Sequence, residues 1–314
     1  SNFTGGAPLS MLNYAKILIQ AGHQVTMVAE KAGLETIALY EKEGVQVICR
    51  KTASRNPFVL FSLASHMYSA AAGKEADIFL PLATYSNQFF ANKVAHRLGK
   101  GFLGIVAGGE FEPPEQLIRA MKAPAFICFS RENMESAARL GVPGQDLFLI
   151  SNRITAAPDP DWRSHFAFEA GKPVRMLTLS RLIPSKVNSI RYVMRLCEYL
   201  HGQGHKISLR VGGEGSSFEV LRHEAETINN RCQAEVIQML GLVTEVKQEI
   251  MAAHMVFGKG RSVLEPIMMN RLGVVVGEQD NMCLCLKDNF QNLYTFNFSG
   301  REIARQTTIE ELSG

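Results

Sequence analysis

Four short stretches in the second half of the chain combine cations, glycines and a carboxylate as a phosphate-bearing ligand would require. Ser180-Arg181-Leu182-Ile183-Pro184-Ser185-Lys186 follows an apolar run and sets two cations across a proline turn. Arginine can grip two phosphate oxygens at once, and lysine neutralises another as a point charge. The plain alternative is a pair of solvated loop cations. Gly213, Glu214 and Gly215 form a glycine turn after the next apolar run, a feature that ordinary strand-to-helix turns share. Leu242 and Val243 follow Gly241 in a third turn, whose backbone could meet a base edge. The fourth stretch, residues 255–277, reads as a strand, a glycine-bracketed turn, a short helix and a second strand. Gly258, Lys259, Gly260 and Arg261 stand at the helix entry, followed by Ser262, Val263, Leu264 and, within the first turns, Glu265. Glycine lets a backbone come close to a ligand, and free amides at a helix start attract phosphate. Arg261 adds a planar, permanently charged donor, unless it is simply a surface arginine. A carboxylate one turn in can accept ribose hydroxyls. Together these residues suggest a nucleotide diphosphate held at the C-terminal edge of a parallel sheet.

Positioning such loops takes alternating strands and helices, and the apolar spacing supplies them. In the first half, strands are expected at 23–30, 45–49, 78–80, 102–106, 126–129 and 147–150. Helices are expected at 8–21, 34–43, 58–72, 85–98, 114–122 and 131–140. Pro- and Gly-rich residues 154–173 interrupt the rhythm as an interdomain connection. Strands near 174–180, 206–212, 234–240, 254–257 and 273–276 then alternate with helices near 187–203, 217–230, 243–253 and 262–270. Apolar strands alternating with helices predict doubly wound parallel sheets covered on both faces. At 314 residues the chain exceeds the usual size of one core. Two Rossmann-like α/β domains facing a cleft, residues 1–153 and 174–314, are the economical architecture, with ligand between them.

Composition narrows the function classes. A formal charge of +3 is too mild for nucleic acid, which needs a clustered basic face. Residues 1–155 carry 15 Lys and Arg against 12 Asp and Glu, and residues 156–314 carry 18 against 18. That small excess fits an anionic membrane surface or random scatter equally well. Six cysteines with no Cys-x-x-Cys pair, mostly inside apolar runs, read as buried reduced thiols of a reducing compartment. The histidines show no metal-ligand spacing, so no metal or cofactor is expected. No apolar run approaches the roughly 20 residues of a membrane span. The chain opens at Ser1 directly before the turn Gly5-Gly6-Ala7-Pro8, where a strand belongs. Its natural start is therefore expected upstream, or Ser1-Asn2 is an expression remnant.

The order of motifs resembles family 4 (group 1) glycosyltransferases, retaining enzymes of the GT-B fold. The matching residues are Arg181-Leu-Ile-Pro-Ser-Lys186, Gly213-Glu214-Gly215, Gly241-Leu-Val and Gly258-Lys-Gly-Arg-Ser-Val-Leu-Glu265. In the first half, Gly5-Gly6-Ala7-Pro8, Gly22-His-Gln-Val-Thr26 and the stretch from Ser130-Arg131 to Ile150-Ser151-Asn152 are similar as well. The resemblance implies that Arg181 and Lys186 clamp the donor diphosphate and stabilise the leaving nucleotide without a metal ion. It implies that Glu265 holds the ribose, that amides from Gly260 to Val263 support the phosphates or donor sugar, and that Gly5 and Gly6 bring the opposite domain's backbone to the phosphate.

One departure stands out. The family's earlier glutamate, eight positions before the later one, falls on Phe257, which puts the donor sugar in doubt. A histidine that the family often places near the reacting centre is absent after Val106-Ala107-Gly108-Gly109-Glu110. Glu110 could orient sugar or acceptor there, against the plainer reading of a solvated carboxylate. The expectation is a glycosyltransferase moving a sugar from a UDP-, GDP- or ADP-sugar to a saccharide or lipid-linked acceptor. It would act in polysaccharide biosynthesis at the cytoplasmic face of a membrane. The rivals are a degenerate GT-B nucleotide-sugar binder and a GT-B nucleotide-sugar epimerase.

Overall fold

The computed structural model describes residues 6–29, 34–49, 76–81, 85–106, 118–151, 154, 158–167 and 171–303. The helix expected at 58–72, Gly5 and Glu110 lie outside these residues. The chain divides into two compact units, Ser1–Arg153 and Ile154–Gly314.

In the first unit, helix α1 (Gly6–Gln20) is followed by β1 (Thr26–Ala29), α2 (Leu34–Lys42) and β2 (Gln46–Cys49). β1 and β2 pair in parallel, Thr26 opposite Gln46. Leu12 and Ala15 of α1 are buried with Tyr40 and Val45. Next come β3 (Ile78–Phe79), α3 (Tyr85–Arg97), β4 (Gly101–Phe102), β5 (Gly104–Val106), β6 (Phe126–Cys128), α4 (Arg131–Arg139) and β7 (Leu147–Leu149). The single strand expected at 102–106 is two short ones. Leu103 between them still donates to the Phe79 carbonyl at 2.9 Å, and Ile105 to that of Pro81 at 3.1 Å. β5, β6 and β7 run parallel around a core of Val106, Phe126 and Cys128. Ser130 and Asn133 close a reciprocal capping box on α4, which fixes where that helix starts.

The second unit begins with a short helix α5 (Trp162–Phe166) inside the stretch read from sequence as a connection. There Asp159 is a structural anchor rather than punctuation. Its carboxylate accepts from Arg271 at 2.9 Å, with the two side chains 1% and 0% exposed. Arg271 also donates to the carbonyls of Met269 and Met251. A buried charge persists only when so partnered.

The main sheet contains β8 (Val174–Leu179), β9 (Ile207–Gly212), β10 (Ile237–Gly241), β11 (Met255–Gly258), β12 (Leu272–Val276) and β13 (Met282–Leu284). Its spatial order is β10-β9-β8-β11-β12-β13. The first five run parallel, and β13 adds an antiparallel edge. Between the strands lie α6 (Pro184–Gly202), α7 (Phe218–Cys232), α8 (Val246–Ala252) and α9 (Arg261–Met268), with α10 (Phe290–Thr295) after β13. Alternate residues of each strand feed opposite faces. Met176, Leu209, Val211 and Phe257 join α6 and α7, whereas Leu177 and Val256 pack with Ile250 of α8. Both faces are covered, which is why these strands read as nearly continuous apolar runs.

Of the cysteines described, Cys128 and Cys197 are buried and all are free. Burial pushes both thiols up to about 12, so neither is a ready nucleophile.

Candidate functional site

The strand order creates a specific place for a ligand. From β8 the chain winds one way through β9 to β10, then crosses back to add β11 and β12 on the other side of β8. The loops leaving β8 and β11 therefore diverge, and the sheet opens between their C-terminal ends. In open parallel sheets such a switch point is where ligands bind. A cavity of about 60 Å³ lies there, lined by Ser180, Lys186, Ser189, Gly258, Lys259 and Ser262 over apolar residues of the sheet and α6. At roughly 10–15 Å³ of such space per water, it has room for several waters or one small anionic group.

On the β8 side, Arg181 is exposed and Lys186 half-buried. Among the described residues neither is paired with a carboxylate. α6 starts with Pro184 in its first turn and Ile183 as N-cap, with no side-chain cap and no acidic residue there. Its positive dipole end is thus left uncompensated by its own first turn. The β8–α6 loop is held by the next glycine turn. Leu182 donates to the Glu214 carbonyl at 2.9 Å, and Ser217 donates to that of Leu182 at 2.8 Å. A Cβ on Gly213 would stand 1.8 Å from the Ser180 carbonyl oxygen, and one on Gly215 2.2 Å from that of Leu182. Both glycines sit at φ beyond +140°, where side chains rarely go. Their role is thus to let two loops touch. Gly213 also spends its amide on the Gly241 carbonyl, at 2.7 Å. Glu214 is exposed beside them. Leu242 and Val243 lie beyond β10, with Leu242 exposed and Val243 half-buried.

On the β11 side the residues expected to meet the ligand already have partners within the protein. The amide of Gly260 donates to the Phe298 carbonyl at 2.9 Å, that of Lys259 to Ser262 Oγ at 3.1 Å, and that of Val263 to the Gly260 carbonyl at 3.1 Å. Of the helix-start amides expected to meet phosphate, those of Gly260, Ser262 and Val263 are therefore bonded within the protein. Arg261 pairs with Glu265 one turn on, so the expected phosphate donor and ribose acceptor hold each other. Val263 and Leu264 are buried in the core with Phe298. Lys259 faces the cavity and pairs with Glu278, just past β12. Burial lowers the Lys259 pKa, while Glu278 opposes that shift and the nearby Lys186 and Arg301 add to it. Phe257, where the family's earlier glutamate falls, is 1% exposed in the sheet core.

Glu278 and Arg301 were not singled out from the sequence. Glu278 follows the apolar run Val274-Val275-Val276-Gly277, the same strand-end placement that marked Ser180 and Gly258. Gly6 opens α1 in the first unit. Among the described residues no group of three or more His, Cys, Asp or Glu could hold a metal.

The fold is GT-B. No protein-family model and no curated protein matches the sequence. Solved structures do. A glycosyltransferase from Rickettsia africae superposes with a TM-score of 0.63 at 15% identity, over 86% of this chain and 75% of that one. HepE of Anabaena, in complex with UDP and glucose, gives a TM-score of 0.66 at 14% identity, over 86% and 77%. A UDP-GlcNAc 2-epimerase from Neisseria meningitidis bound to UDP-GlcNAc gives 0.53 at 10% identity, over 80% and 74%.

Proposed function

We propose that this chain is a glycosyltransferase, similar to family 4, that moves a sugar from a nucleotide-diphosphate donor to a saccharide or lipid-linked acceptor with retained configuration and without a metal ion. The observation carrying this reading is Lys186 in the cavity wall at the switch point of a parallel sheet, with Arg181 exposed on the same β8–α6 loop and neither paired with a described carboxylate. Cations fixed at that edge lower the energy of the charge that develops on the leaving nucleotide as the glycosidic bond breaks. HepE with UDP and with UDP-glucose supports a UDP-sugar as the first donor to try.

Two further readings have specific observations behind them. The epimerase neighbour favours a GT-B epimerase. That chemistry needs acid and base groups, and among the described residues the cavity is lined by no histidine and no carboxylate. Burial of Phe257 favours a binder without turnover, because that position offers no polar contact to a sugar. Incubation with UDP-, GDP- and ADP-sugars together with saccharide and lipid-linked acceptors, followed by assay of released nucleotide and of the recovered sugar, separates the three. Transferase activity releases nucleotide, an epimerase inverts the sugar, and binding without either product leaves the third reading. Acceptor encounter at a membrane surface is part of the proposal, and flotation with anionic liposomes tests it. Among the described residues no helix is long and apolar enough to cross a membrane.

A further inference from the structure

Lys259 and Glu278 form a lopsided pair. The lysine side chain is 15% exposed and the glutamate 49%. If the pair opens, Glu278 recovers water easily, whereas Lys259 stays in a site where burial disfavours its charge. A cation so placed needs another anion as soon as the first departs. Lys186 lines the same cavity and, like Arg301, already acts against the charge on Lys259. Among the described residues the cavity wall therefore carries two cations, Lys186 and Lys259, and Glu278, outside that wall, is the counter-ion of Lys259.

Resting on the nucleotide-diphosphate reading above, we propose that Lys259 is a phosphoryl ligand kept occupied by Glu278 until the donor's diphosphate displaces that carboxylate. Glu278 thereby becomes a specificity-determining residue. A phosphoryl group carries more charge than a carboxylate and three strong acceptor oxygens, so it can bridge Lys186 and Lys259 where Glu278 holds only one. A singly charged anion gains too little to open the pair. No bond is made or broken in the exchange, and the lysine keeps an anionic partner throughout.

The test is titration calorimetry of UDP, GDP, ADP, inorganic pyrophosphate and acetate against the full chain and the variants Glu278→Gln, Lys259→Met and the double variant. Removal of the competing carboxylate is expected to tighten pyrophosphate by about tenfold, a usual size for coupling between two binding events. It is also expected to make acetate binding measurable. In the Lys259→Met background the gain from Glu278→Gln should vanish. The double variant carries no unpaired charge at the pair and keeps the comparison open if Glu278→Gln alone folds poorly. Glu278→Asp, with a shorter reach, should fall between wild type and Glu278→Gln. Unchanged pyrophosphate affinity in Glu278→Gln, or a gain that survives in the double variant, overturns the exchange while leaving UDP binding by the wild type intact. Failure of the wild type to bind UDP, GDP or ADP at all overturns the parent reading instead.

Discussion

The loop leaving β8 and the turn leaving β11 flank one cavity, yet they meet a ligand in opposite states. Arg181 and Lys186 on the first have no carboxylate partner among the described residues, and the helix behind them begins without an acidic residue. On the second, Lys259 and Arg261 each hold a glutamate, and the nearby amides are bonded to Ser262, Phe298 and Gly260. One side is open to an anion on arrival; the other must exchange partners first. A count of charged residues near a crevice therefore says little about binding until each charge's present partner is known. Affinity on the open side comes from new contacts, whereas on the paired side it is the difference between two contacts.

Variants sharpen this contrast. The largest loss is expected from Arg181→Ala combined with Lys186→Ala. Two hydrogen bonds to a charged ligand at about 1.5–3 kcal/mol each would take nucleoside diphosphate binding beyond calorimetric detection while the melting temperature stays put. Asp159→Ala, far from the ligand, should instead cost about 3–5 kcal/mol of stability by stranding the buried Arg271, read by chemical denaturation. That variant shows what a purely structural ion pair looks like, against which Lys259 and Glu278 can be judged. Gly215→Ala should cost about 1–3 kcal/mol, because a side chain at its φ of 153° is strained. It should also weaken binding by moving the β8–α6 loop. The smallest effect is expected from Glu265→Gln. If Glu265 leaves Arg261 to hold the ribose, UDP weakens by about tenfold or less while pyrophosphate is unaffected, since one hydrogen bond is at stake. Equal weakening of both ligands would place Glu265 in support of Arg261 only.

Much of this was legible in the sequence, for identifiable reasons. Strands such as Val274-Val275-Val276 are buried on both faces and announce themselves as apolar runs. The proline turn after Ser180 and the glycines after β9 and β11 mark strand ends by local chemistry alone. The pair Arg261 and Glu265 stands four residues apart on one helix, but the partner of Lys259 was hidden. Lys259 meets Glu278 because β12 lies beside β11, and Gly260 meets Phe298 because the chain returns after α10. Both facts belong to tertiary order, which no local spacing encodes. Asp159 looked like part of a proline-rich linker for the same reason, since its partner Arg271 is far along the chain. The switch point itself depends on which side of β8 receives β11. The apolar runs of β8 and β11 say nothing of that choice.

A donor diphosphate lying between the ends of β8 and β11 is the arrangement on which transfer by this chain would depend. The most direct measurement is diffraction from crystals soaked with UDP at saturating concentration. Density for both phosphates at that crevice, within hydrogen-bond reach of Arg181 and Lys186, is the predicted result. UDP bound elsewhere on the chain, or no density at the crevice, would contradict it.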